Sequence, residues 1–208
     1  MAQYQAPPGS PLPGLWGRMI LFIHGFASCG IGRKSTLLKA YFGEHRVLAP
    51  DLPADPGEAV AYLESLLREH DVRLLVGSSL GAYFATWLNR ERCLPAVLIN
   101  PAIAPFVLLG DYLGTHTGCN NRSVEVSTGT LASLRRLYRP ELRAEEPYLV
   151  LLQSGDELLD YRHAAAYYAD KDVIIEPGGS HRFEDLQQHL PRIAAWARQY
   201  EKNEQTPT

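Results

Sequence analysis

The pentapeptide Gly77-Ser78-Ser79-Leu80-Gly81 places a hydroxyl between two glycines in the pattern G-x-S-x-G. It follows the apolar run VRLLV and precedes the helix-forming run AYFATWLNR, so a strand enters the turn and a helix leaves it. A serine lifted on such a turn can attack an acyl carbon if a base takes its proton and N–H donors hold the developing oxyanion. Ser79 is the candidate nucleophile, and Ser78 is out of register with the glycines. The Leu80 N–H, at the start of the helix, is one expected oxyanion donor.

The base and the acid must then come from strand ends further along the chain, in the order serine, acid, histidine. YLVLLQSGDE puts Asp156 just past one apolar run, and VIIEPGGSH puts His181 in a glycine-rich loop past another. His163 and His189 fall within helical patterns, His45 and His70 near helix ends, and His116 in an irregular stretch; a histidine on a helix is commonly solvated or capping. His181 is therefore the expected general base and Asp156 the residue that orients it. Glu157 competes for that role through its longer arm, whereas Asp160 precedes YRHAAAYYA and reads as an N-cap. His24-Gly25-Phe26 closes the first apolar run, where Phe26 N–H is the expected second oxyanion donor and His24 braces the turn.

Other chemistries fit less well. GFASCGIGRKST is glycine-rich between a strand and a helix, yet Arg33 separates Gly32 from Lys34, so the phosphate-binding pattern G-x-x-x-x-G-K-[ST] fails. Arg135, Arg136, Arg139 and Arg143 form a basic segment that could attract a phosphorylated substrate, although a solvated face is the commoner meaning. Cys29, Cys93 and Cys119 are odd in number and widely spaced, which suggests neither a disulfide framework nor a zinc site, and a reducing cytoplasm.

The elements needed to position these groups are legible as alternating patterns. Arg18 to Phe26, RVLAPDLP, VRLLVG, PAVLIN, YLVLLQ and VIIE read as strands, separated by helical stretches such as RKSTLLKAYF and PGEAVAYLESLLREH. Such alternation calls for a mainly parallel, doubly wound sheet, the α/β class, covered by helices on both faces. Residues 101–147 break the rhythm and are expected to form a small lid-like excursion in which Phe106, Leu108, Leu109, Tyr112 and Leu113 either line an acyl pocket or pack the lid. Residues 1–17 read as a flexible leader without a secretory signal, 18–200 as one domain and 201–208 as a disordered tail.

The chain has 208 residues, a hydrophobic fraction of 46% and a formal net charge of −3, which suits one domain with a substantial core. A nucleic-acid binder would carry a basic excess, and no apolar run approaches the roughly 20 residues needed to span a bilayer. A small-molecule partner is expected, with neither nucleic acid nor membrane.

Taken together, HGFASCGIGRKSTLL, VGSSLGAYFATWL, AVLINPAI, FVLLGDYLG, QSGDELLDYR and GGSHRFEDL resemble the YqiA-type esterases, small bacterial α/β-hydrolases, over roughly Leu21 to Trp196. The more particular matches are Asn100-Pro101, Asp111 to Gly114, and Gly155-Asp156-Glu157 with Asp160-Tyr161-Arg162. The resemblance implies a triad at Ser79, Asp156 and His181, and hydrolysis of short acyl esters, with acyl thioesters such as those of coenzyme A as a second class. It implies no metal or cofactor. The sequence departs from the family where Asn-Pro-Tyr-Thr-Gly gives way to TGCNNR around Thr117 to Arg122. The alternatives to hydrolysis are acyl transfer to an acceptor other than water, and a non-catalytic binding module on the same scaffold.

Overall fold

The computed structural model describes residues 19–201, so the expected leader and most of the expected tail lie outside the described residues. Six parallel strands form the main sheet: β1 (Met19–Ile23), β2 (Val47–Leu48), β3 (Val72–Ser78), β4 (Ala96–Ile99), β7 (Tyr148–Gln153) and β8 (Asp172–Glu176). Their order is β2-β1-β3-β4-β7-β8, with β3 and β4 central.

The strand sequences explain why both faces must be covered. Along β1, Leu21 and Ile23 enter one core while Ile20 and Phe22 enter the other; along β7, Tyr148, Val150 and Leu152 alternate in the same way with Leu149 and Leu151. Successive side chains point to opposite faces, so a continuously apolar strand needs two helical layers. One layer is α1 (Arg33–Phe42) with α7 (Leu186–Glu201), contributing Leu38, Phe42, Leu190 and Ile193. The other is α2 (Pro56–Glu69), α3 (Leu80–Arg92), α5 (Thr128–Arg136) and α6 (Tyr161–Tyr167), contributing Leu63, Leu88, Leu134 and Ala164.

The segment expected as a lid divides into two parts. Its second half belongs to the body, because α5 buries Leu134 completely and Tyr83 Oη donates to the Leu134 carbonyl at 2.7 Å. Its first half runs through the short helix α4 (Pro105–Leu108) into an antiparallel hairpin, β5 (Gly114–Thr117) and β6 (Ser123–Val126). The basic segment at its end is largely consumed internally. Arg139 makes two hydrogen bonds to the buried Glu146 carboxylate at 2.7 and 2.9 Å, Arg143 adds a third at 3.0 Å, and Arg135 lies 4.9 Å over the Phe106 ring.

The expectation that the cysteines stay unpaired is overturned. Cys29, after β1, is disulfide-bonded to Cys119 in the tip of the hairpin, 90 positions away, and Cys93 is left free. The pairing follows from where the hairpin lands. Cys119 N–H donates to the Ala27 carbonyl at 2.9 Å and Arg122 Nη2 to the Leu52 carbonyl at 2.8 Å, bringing the two sulfurs together. With two of the three cysteines paired, their number no longer argues for a reducing compartment.

Candidate active site

Ser79 sits between β3 and α3 with φ +55° and ψ −119°, a conformation that costs a non-glycine residue about 1–3 kcal/mol. The flanking glycines permit it by close approach. A Cβ on Gly77 would meet Ala82 Cα at 2.5 Å, and one on Gly81 would collide with the Ile23 carbonyl oxygen. The turn is held by Ser79 N–H donating to the Ile99 carbonyl at 3.0 Å, while the Ser79 carbonyl accepts from Ala82 and Ala102. Ser78 is buried beside it.

The structure brings Ser79, His181 and Asp156 into one chain of hydrogen bonds. His181 Nε2 lies 3.0 Å from Ser79 Oγ, and Nδ1 lies 2.8 and 3.0 Å from the two Asp156 carboxylate oxygens. An ionised carboxylate can only accept, so Nδ1 carries the proton and Nε2 is left to accept from the serine hydroxyl. The Asp156 side chain is 2% exposed and that of His181 19%, which removes the carboxylate from water while leaving the imidazole partly open. Asp156 Oδ1 also accepts from Leu158 N–H and Leu159 N–H at 2.9 and 2.8 Å.

The competing carboxylates have other partners. Glu157 Oε2 accepts from the backbone N–H of His181 at 2.9 Å, which lowers its pKa and secures the histidine's main chain rather than its ring. Asp160 caps α6 and pairs with Arg162, and those hydrogen bonds lower its carboxyl to about 2. Of the other histidines, His189 differs from the solvated or capping residue expected: it is buried, with Nε2 2.8 Å from Glu176.

Beside these residues stand two amides: Asn100, noted in the sequence only as part of the family-like Asn100-Pro101 pair, and Gln153, which sequence reasoning did not single out. Asn100 Nδ2 donates to the carbonyls of Ser180 and His181 at 3.0 and 3.3 Å, and its Oδ1 accepts from Gln153 N–H. Gln153 Oε1 accepts from the N–H groups of Ser180 and Glu184, so both amides grip the histidine loop. A signal was available: each ends a buried apolar strand with a polar side chain, AVLIN and YLVLLQ.

The N–H groups of Phe26 and Leu80 have no hydrogen-bond partner among the described residues. His24 explains the orientation of the first. Leu52 N–H donates to His24 Nε2 at 3.1 Å, so the ring proton is on Nδ1, which donates to the Gly25 carbonyl at 2.9 Å. A trans peptide points its carbonyl and N–H in opposite directions, so fixing the Gly25 carbonyl also fixes the Phe26 N–H. Burial lowers the His24 pKa and favours this neutral form. The hairpin adds a second hold through Cys119, and the Phe26 ring packs edge-on to His116 at 5.9 Å.

A cavity of about 40 Å³ opens beside these two donors, lined by Phe26, Leu80, Phe84, Leu109, Val124 and Leu134 among others. Of the five apolar residues considered for an acyl pocket, Leu109 lines this cavity and Phe106 packs edge-on to Tyr138 at 5.6 Å. Leu108, Tyr112 and Leu113 are exposed.

Comparison with known proteins gives the same architecture. A family model described as an uncharacterised protein family, UPF0227, matches residues 19–198. A UPF0227 protein of Pectobacterium carotovorum is 23% identical over 189 residues, covering 86% of this chain and 98% of the relative. Among solved structures, the esterase domain of a Rhodothermus marinus protein superposes with a TM-score of 0.67 at 19% identity, covering 91% of this chain and 90% of that one. Mouse alpha/beta hydrolase domain-containing protein 10 gives 0.67 at 18% identity over 88% and 90%. The fold is that of the α/β hydrolases.

Proposed function

The chain belongs to the UPF0227 family, and on that premise we propose that it is a serine esterase in which Ser79, His181 and Asp156 form the catalytic triad. The observation that carries the reading is the unbroken series Asp156, His181 Nδ1, His181 Nε2, Ser79 Oγ, with every link between 2.8 and 3.0 Å. The membership agrees with the resemblance to YqiA-type esterases.

The chemistry follows from the geometry. His181 Nε2 takes the proton from Ser79 as Oγ attacks the acyl carbon, and Asp156 stabilises the imidazolium that results. The oxyanion accepts from the N–H groups of Phe26 and Leu80, whose orientations are set before substrate arrives. His181 then protonates the leaving group, and water repeats the sequence to release the acyl group.

The cavity of about 40 Å³ supports short acyl groups. That space holds about three waters, so it takes a short acyl group before side chains must move. Thioesters with the same acyl groups fit the same route. Among the described residues no helix is long and apolar enough to cross a membrane.

The test is release of p-nitrophenol from acetyl, butyryl, octanoyl and longer esters by the wild type and by Ser79→Ala. The expected result is a kcat/KM optimum at two to four carbons, and a loss in Ser79→Ala of about 10⁴-fold or more. Equal rates in the two proteins would remove Ser79 from the chemistry.

A further inference from the structure

The loop that carries His181 has no regular structure of its own to hold it. Between the end of β8 and the start of α7, Gly178, Gly179, Phe183 and Asp185 all have positive φ, at 72°, 73°, 52° and 57°. A non-glycine residue persists in that region only where its surroundings over-determine it. Those surroundings converge on Ser180, the residue before His181. The Ser180 N–H donates to Gln153 Oε1 at 3.1 Å, and its carbonyl accepts from Asn100 Nδ2 and from Phe183 N–H, both at 3.0 Å.

Gln153 is buried and uses its whole amide. Backbone N–H groups can only donate, so its oxygen must face those of Ser180 and Glu184, and Nε2 must face the other way. There Nε2 donates to the Glu184 carbonyl at 3.0 Å and to Glu176 Oε2 at 3.2 Å. Glu176 is the last residue of β8, and its other oxygen accepts from His189 Nε2 at 2.8 Å. The His189 imidazole, buried in the first turn of α7, also stands edge-on to the Phe183 ring with centroids 5.4 Å apart. It therefore reaches Ser180 by two routes, one through Glu176 and Gln153 and one through Phe183.

We propose that Glu176 and His189 are positioning residues for catalysis, which hold the loop where the His181 imidazole meets Ser79 and Asp156 together. They act through Gln153 and Phe183, not on the reacting atoms. The demand on the loop is strict, because a displacement of about 1 Å can cost on the order of 10²-fold in rate. The proposal rests on the serine-esterase reading.

Substitutions at the two positions test it. Glu176→Ala removes both hydrogen bonds, whereas Glu176→Gln keeps them, its oxygen accepting from Gln153 and its amide donating to the other tautomer of His189. On p-nitrophenyl acetate, well below the melting transition, Glu176→Ala should lower kcat about tenfold with KM changed by less than about twofold. Glu176→Gln should return kcat to within about threefold of the wild type. His189→Phe keeps a ring against Phe183 and loses the donor, so its kcat should fall between the two; it carries the comparison if Glu176→Ala does not fold. Amide hydrogen exchange, followed by mass spectrometry, should quicken over residues 178–185 in Glu176→Ala and His189→Phe while β3 stays as protected as in the wild type. Unchanged exchange in that loop, or a raised KM with kcat intact, would overturn the proposal whatever the melting temperature does.

If the wild type turns over no ester, the esterase reading fails on its own, and loop exchange decides the positioning separately. Quicker exchange confined to residues 178–185 supports it, and exchange that is unchanged or quickened throughout the chain overturns it.

Discussion

At Asp156 one carboxylate meets the histidine ring with both oxygens and the backbone of its own turn with one, so the side chain is held before it can hold anything else. Replacing it by Asn swaps an acceptor for an amide and permits the wrong imidazole tautomer. Asp156→Asn should lower kcat about 10⁴-fold with little change in KM, as measured on p-nitrophenyl acetate. Glu157→Gln keeps an acceptor for the His181 N–H and should cost less than about tenfold in the same assay. Asn100 acts one step further out. Asn100→Leu leaves Gln153 N–H and two carbonyls of the histidine loop without their partner, and should destabilise the fold by about 1–3 kcal/mol in urea titrations.

The elements differ in how far their roles could be read from sequence. The turn around Ser79 was legible because its information is local: an apolar strand, two glycines at close-approach positions and a helix, all within a few residues. The meeting of His181 with Ser79 was legible because both follow the carboxyl ends of strands in one parallel sheet. The disulfide was not, since Cys29 and Cys119 become neighbours through the landing of a hairpin on the β1 to α1 loop. The same long-range blindness left Arg135 to Arg143 to be read as a solvated face or an anion site, because the buried carboxylate of Glu146 that satisfies two of them is recognisable as such only in three dimensions. The disulfide bears on function at this scale, for it ties the hairpin to the loop carrying Phe26. Cys119→Ser, or a dithiol reductant applied to the wild type, should lower stability by about 2–4 kcal/mol and reduce kcat more than it raises KM. Unchanged melting in the presence of reductant would show that the clamp contributes nothing.

At the scale of the whole molecule, the two helical layers are unequal in chemistry. The layer formed by α2, α3, α5 and α6 buries hydroxyls: Thr86 and Tyr168 share a hydrogen bond at 2.7 Å, Tyr148 Oη donates to Glu146, and Tyr83 and Tyr167 donate to backbone carbonyls. Burial raises the pKa of each of these four tyrosines above its ordinary value of 10.0. In the unfolded chain they ionise near pH 10, whereas in the folded protein they stay protonated, so the folded state binds more protons above that pH and stability falls as pH rises. Thermal melts should hold steady up to about pH 10 and drop beyond it, less steeply in Tyr167→Phe. Among the described residues the partners of these phenols include Leu134, Thr86, Glu146 and Arg139, none of them Ser79, Asp156 or His181.

The central claim is that Ser79 is an activated nucleophile, and covalent trapping measures that without assuming a substrate. Incubation with a fluorophosphonate followed by peptide mass spectrometry should show one phosphonyl group per chain on Ser79, formed far more slowly in His181→Ala. An unlabelled protein, or a label elsewhere while ester turnover persists, would contradict the account.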